Sequence, residues 1–222
     1  SQPSQEIING NLFKVGNKIK ISNPVNGDVI FFGGVVEINS PIAGDVLGVG
    51  GLVRIKGDVL GNVRVIAELV EINGMVERNV NVFANRLIIK DTARLGRDIY
   101  LGVNSAEVAG EIEGNLSGNF GNLVLAGRVK KNVDLVVRRA GKVILEPKAL
   151  IAGDLIYKAT TKNQLQKKDG AQILGQTAPK IFQTQKTKFV AAYIFGKIIA
   201  LFGLLIIGLV LLSLAPRKTL EI

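Results

Sequence analysis

The chain has no cysteine, no histidine and no tryptophan. Without cysteine there is no disulfide framework and no thiolate metal site. Without histidine there is no imidazole base, no histidine-containing catalytic triad and no histidine-ligated zinc. Aromatic residues are scarce, nine Phe and three Tyr in 222 residues, which leaves few stacking platforms for single-stranded nucleic acid. Proline is low at six. Apolar residues, by contrast, make up 47%, too many for a disordered chain. Glycine is high at 26, and high glycine with low proline suggests many tight turns.

Acidic residues are also in deficit. There are 18 Asp+Glu against 28 Lys+Arg, a net charge of +10. The excess is not spread evenly. Residues 1–157 hold 18 basic and 16 acidic side chains, a net of +2; residues 158–222 hold 10 and 2, a net of +8. The basicity therefore belongs to the C-terminal third and flanks the longest apolar run, which weakens any nucleic-acid reading and leaves nucleic acid outside the expected partners.

That run, Ile198 to Ala215, has no charge and only Ser213 as a polar side chain. Eighteen residues of helix at about 1.5 Å each span roughly 27 Å, close to the thickness of a hydrocarbon core. With the apolar stretch before Lys197, residues 189–215 are expected to form a transmembrane helix. Tyr193 and Lys197 would sit at one interface, Arg217 and Lys218 at the other. Lysines flank both sides, so the side of the membrane stays open, with the extracytoplasmic side preferred for the preceding domain. The start at Ser1 and the stop at Ile222 leave room for an earlier signal segment and for later helices.

The remainder is a repeat. Asn11, Asp28, Asp45, Asn62, Asn79, Asp98, Asn115, Asn132 and Asp154 each precede Leu, Val or Ile and usually follow Gly. Their spacings are 17, 17, 17, 17, 19, 17, 17 and 22. Seven residues after the apolar member stand Ile19, Val36, Val53, Val70, Leu87, Ala106, Leu123 and Ala140. Nine after come Ile21, Ile38, Ile55, Ile72, Ile89, Val108 and Leu125; thirteen after come Val25, Ile42, Val59, Val76, Ala93, Ile112 and Val129. Alternation at period two reads as strand. Gly, Asn and Asp are expected at corners because they accept left-handed backbone angles. A 17-residue unit cannot bury its own apolar face, so units must stack. The expectation is an all-β parallel β-helix of about nine coils with short strands of three to five residues, right-handed as parallel crossovers usually are.

The Asx column has two readings. Stacked carboxylates could bind Ca²⁺; equally, Asn and Asp suit corners and hydrogen-bond along a stack. Five of the nine are Asn, which dilutes the charge and favours the structural reading, with no metal and no cofactor expected. Glu37, Arg54 and Glu71 fall in one outward column and read as cross-strand pairs. A second outward column, Phe32, Val49, Ile66 and Phe83, is apolar, and so is a third, Val35, Leu52 and Leu69. These seven are the candidate self-association stripe, although corner side chains folded under a turn would give the same pattern.

The Gly-Asp/Asn-Val coil, the Val/Ile columns and the closing Ala152-Gly153-Asp154-Leu155-Ile156-Tyr157 resemble the bactofilins over residues 10–175. The resemblance implies a right-handed β-helix that polymerises end to end without a nucleotide and scaffolds other proteins near membranes. The integral helix makes the chain more similar to membrane-anchored relatives in which a β-helix precedes transmembrane helices. The expected division is a tail (1–9), a β-helix (10–175), a Lys/Gln/Thr-rich tether (176–188), the membrane helix (189–215) and a flank (216–222). The expected function is a membrane-anchored, self-associating, non-catalytic scaffold whose partners are its own copies, the lipid bilayer and unidentified proteins. The alternatives are a surface binding or adhesin module and, further off, a β-helix carbohydrate-active enzyme. Polysaccharide lyases generally have longer coils, and hexapeptide acyltransferases use 18-residue coils and a catalytic histidine.

Overall fold

The computed structural model of the chain describes residues 6–181. They form a parallel β-solenoid of about eight turns. The strands of the first half are β1 (Ile8–Asn9), β2 (Leu12–Ile21), β3 (Val25–Asn26), β4 (Val29–Ile38), β5 (Val46–Ile55), β6 (Val63–Ile72), β7 (Met75–Val76) and β8 (Val80–Ile89). Those of the second half are β9 (Arg94–Leu95), β10 (Ile99–Val108), β11 (Glu111–Ile112), β12 (Leu116–Leu125), β13 (Arg128–Val129), β14 (Val133–Leu145), β15 (Leu150–Ile151), β16 (Leu155–Ala159), β17 (Leu165–Lys167), β18 (Gln172–Ile173) and β19 (Thr177–Ile181). The nine Asx positions each precede a strand of the main ladder, and the nine strand starts bound eight turns.

The long strands stack in the order β2-β4-β5-β6-β8-β10-β12-β14-β16-β19, every pair parallel. In the 17-residue coils the paired residues stand 17 positions apart, as Val29 with Val46 and Ile38 with Ile55. At an inter-strand spacing near 4.8 Å, eight turns rise roughly 40 Å.

From β2 to β12 each turn has one ten-residue strand where several shorter ones were expected; β14 runs to 13 residues, and the next turn divides into β16 and β17. In β5 the inward residues are Val46, Gly48, Val53 and Ile55; in β6 they are Val63, Val65, Val70 and Ile72. The first, third, eighth and tenth residues thus point inward, so the alternation slips by one between the third and the eighth. The ladder skips the sixth residue at this point: Gly34, Gly51, Glu68 and Asn85 have no paired Cα. The strand bends there while its ladder continues. A turn therefore has three faces: the first half of the long strand, its second half, and the short strand. Between the faces lies a continuous column of fully buried Val, Ile and Leu.

Several expectations change. Among the described residues no non-glycine has positive φ, and of the glycines only Gly10, Gly118 and Gly170 do. The corner glycines are required by space. A Cβ on Gly61 would run into Asp45 Oδ1 and the Gly44 carbonyl of the coil before it. Ala140 does not join the Val36–Val53 column; three inserted residues push it to the surface and Val143 pairs with Leu123 instead. Ala93 is buried, but Leu95 takes the column position against Ile112, because two extra residues precede it. The solenoid also runs past both expected ends. Ile8–Asn9 pairs with β3, and Thr177–Ile181, placed in the tether, pairs with β16. Among the described residues no helix is long and apolar enough to cross a membrane. The expected span 189–215, with Tyr193, Lys197, Arg217 and Lys218, lies outside the described residues.

Candidate interaction surface

On the first face, the second and fourth residues of each long strand point outward. The fourth-residue column is Val15, Phe32, Val49, Ile66 and Phe83; beside it the second-residue column begins Phe13, Ile30 and Leu47. The fourth-residue side chains, with Phe13, Leu47 and Tyr100, are exposed by between 41% (Val49) and 67% (Phe13). Of the expected stripe, Phe32, Val49, Ile66 and Phe83 are thus brought together on one surface. Val35, Leu52 and Leu69 lie past the bend on the second face and are only half-exposed. The sequence reading missed Phe13, Val15 and Leu47, although the same alternation marks them as outward.

The two columns line an apolar groove of about 670 Å³, with Gly48 and Val65 at its floor. Gly48 is small because the Phe31 ring in the coil before it occupies the space its Cβ would need, 2.5 Å from the ring carbons. At the far end the Phe83 ring lies over Gly102 in the same way and tilts against Tyr100, centroids 6.0 Å apart. Beyond it the fourth-residue column turns to Gly102 and Asn119, and the second-residue column to Ser117 and Asp134. The most exposed apolar side chains therefore cluster on the N-terminal part of the face; farther along, Val136 and Ile156 are only half-exposed.

The Asx column is a ladder of hydrogen bonds between coils. The Asp28 N–H donates to Asn11 Oδ1 (2.9 Å), Asp45 N–H to Asp28 Oδ1 (2.8 Å), Asn62 N–H to Asp45 Oδ1 (2.7 Å) and Asn79 N–H to Asn62 Oδ1 (3.2 Å). A second run joins Asp98, Asn115, Asn132, Asp154 and Gln176, with N–H···Oδ1 distances of 2.8, 3.1, 2.9 and 2.8 Å. Among the described residues no such bond joins Asn79 to Asp98, where the coil is two residues longer. These oxygens accept from backbone of the next coil, and among the described residues no three carboxylates cluster as metal ligands do. Partial burial pushes the Asp45 carboxyl up, but the Asn62 N–H and the Arg64 guanidinium (2.7 Å) outweigh it and hold Asp45 below its ordinary value. The outward column is paired as its charges demand, Arg54 to Glu37 at 3.2 Å and to Glu71 at 3.5 Å.

The longer coils build a second feature. The turn at Asp91 and those at Pro147–Lys148 and Gly170 stand around the shorter coils between them. They frame a cleft of about 500 Å³ floored by Gly110 and Gly127 and edged by Glu111 and Arg128. In the same half Gln164, buried and unforeseen from sequence, organises the inserted residues of β14. Its Nε2 donates to the Arg138 and Gly141 carbonyls (2.7 and 2.8 Å), and its Oε1 accepts from the Thr160 N–H and hydroxyl (both 2.7 Å). Comparison with protein-family models, curated proteins and solved structures finds no match to this chain.

Proposed function

We propose that this chain is a membrane-anchored, self-associating β-solenoid scaffold of bactofilin type, structural rather than catalytic, with a right-handed coil. The observation that carries the reading is the apolar stripe Phe32-Val49-Ile66-Phe83 on the outer surface, which water penalises and a protein partner covers. The bactofilin resemblance of the 17-residue coil and the apolar run 198–215 supply the rest: self-association, and attachment to lipid. The test is single-molecule photobleaching of the fluorescently labelled full chain in lipid vesicles over a range of surface densities. Multi-step bleaching that grows with density is expected; single steps at every density would sink the reading.

A second reading, a binding module displayed on a membrane anchor, is favoured by the cleft between the inserted turns. Its size falls within the range of small-ligand sites, and no aromatic side chain lines it as a sugar platform.

A further inference from the structure

Two successive coils leave the regular path at the same place, the bend between the first and second faces. In β12 only residues 121–122 lie between Phe120 and Leu123; in β14 residues 138–142 lie between Val137 and Val143. The next coil repeats the excursion, with residues 160–164 between Ala159 and Leu165. Gln164 ties the second loop to the first through the Arg138 and Gly141 carbonyls. Gly141 and Gln164 are buried, whereas Arg138, Arg139, Ala140, Thr161, Lys162 and Asn163 are exposed. The two loops thus form a ridge whose backbone is fixed from inside and whose side chains stand in water.

The ridge is charged with one sign. It carries Arg138, Arg139, Lys142 and Lys162, and no Asp or Glu occurs between Asp134 and Glu146 or between Asp154 and Asp169. The coil beneath adds none, since its sequence from Gly114 to Val133 is free of acids. Among the described residues none of these four cations has a carboxylate within ion-pair distance. By contrast Lys130 meets Glu111 and Glu113, Lys158 meets Asp134, and Lys168 meets Glu146. Like charges gathered on one ridge repel each other, and an anionic surface relieves that repulsion. The ridge has no aromatic side chain on which a nucleic-acid base could stack.

The path of the chain brings such a surface near. Ile181, the last residue of β19, pairs with Ala159, the residue that leads into the second loop. The chain therefore leaves the described residues beside the ridge. From Ile181 to Ile198, where the apolar run begins, 17 Cα steps reach at most about 60 Å. Resting on the membrane attachment proposed above, we infer that the ridge docks on anionic lipid headgroups of the bilayer, with Arg138, Arg139, Lys142 and Lys162 meeting their phosphates. Arginine binds phosphate through two parallel hydrogen bonds, and a bilayer joined to the same chain meets the ridge at high effective concentration. Arg138 and Arg139 stand on the flank of the rod, so lipid at this ridge and copies joined end to end do not exclude each other.

The chain has no native cysteine, so Ala140→Cys in the full chain takes a single donor dye on the ridge. It is reconstituted in phosphatidylcholine vesicles, with or without phosphatidylglycerol, that contain a headgroup-labelled acceptor lipid. Co-flotation reports attachment, and energy transfer reports the approach of the ridge to the headgroups. Transfer is expected to rise about threefold or more with phosphatidylglycerol and to fall back in high salt, which screens exposed charges. The triple variant Arg138→Gln, Arg139→Gln, Lys162→Gln should cut the phosphatidylglycerol-dependent part about fivefold or more, since each cation near an anionic surface is worth roughly that factor. The charge-matched variant Arg78→Gln, Arg94→Gln, Arg97→Gln should leave it in place, both with an unchanged circular dichroism spectrum. Arg139→Gln and Lys162→Gln singly should each lower it, which tests the contact without the triple variant. Equal transfer on the two lipids, or an equal loss in the two triple variants, would overturn the docking with attachment intact. A larger response to a single-stranded oligonucleotide on phosphatidylcholine vesicles than to phosphatidylglycerol would give the ridge to nucleic acid and overturn it too. Chains that float with neither vesicle would remove the membrane attachment itself, and this contact with it.

Discussion

Asp45 serves two partners at once, the Asn62 N–H above it and the Arg64 guanidinium beside it. Asp45→Asn keeps the acceptor oxygen and removes the charge. Because the Asp45 pKa is lowered in the folded state, its charge-dependent stability is present above the unfolded value of 3.8 and is lost as pH falls through the folded one. Denaturant titrations should therefore show Asp45→Asn less stable than the parent at pH 7, by up to ~1 kcal/mol for an exposed pair. The two should converge as the medium is acidified below that window; a constant gap would assign the difference to something other than the charge. Gln164 is the polar residue whose loss should cost most. Gln164→Leu leaves the Arg138 and Gly141 carbonyls and the Thr160 donors without their partner, at about 1–3 kcal/mol per buried group left unpaired. Urea midpoints would measure it, and a change below ~0.5 kcal/mol, the scale of surface substitutions, would contradict the assignment.

At the scale of the element, the period of 17 was legible because every coil repeats one environment. Val36, Val53 and Val70 answer to the same hole, and the Asx positions to the same N–H. The bend inside each long strand was not legible. A slip in alternation at residues such as Gly51 and Glu68 looks, in sequence, like a strand boundary. Insertions were misread for a related reason: Ala140 and Val143 are both apolar, and only the pairing with Leu123 chooses between them. Half of the apolar face was also overlooked, since the second-residue column changes from Phe13, Ile30 and Leu47 to Arg64 and Asn81 partway along. Gln164 was beyond reach because its main partners are backbone groups, which no residue type advertises. The packing of Phe31 over Gly48 gives a compensating pair that can be tested. Gly48→Val alone overpacks and should destabilise by about 1–3 kcal/mol. Phe31→Val alone opens a cavity and should also destabilise. The double variant should recover part of the loss, and strict additivity of the two in a denaturation cycle would refute the contact.

For the solenoid as a whole, stability is close to a sum over neighbouring coils, as in other stacked repeats. The side-chain ladder divides that sum into two runs, Asn11 to Asn79 and Asp98 to Gln176. Amide exchange should report the division. The Asp98 N–H, for which no partner is present among the described residues, is expected to exchange at least tenfold faster than the N–H groups of Asp45, Asn62 and Asn115; equal protection would mean the ladder adds nothing. The same gap has a mechanical meaning. A stack drawn apart along its axis yields at its weakest joint, and every other Asx joint among the described residues carries one more tie than this one. Between Asn79 and Asp98 runs a seam without its Asx bond, crossed by the backbone ladder, the Arg86–Glu107 ion pair and the Phe83–Tyr100 contact, and it is the predicted fracture plane. Five long strands lie on one side of it, together with most of the apolar face; the charged C-terminal coils lie on the other. In an optical-trap extension the first rip should release one of these two blocks whole, not a single coil.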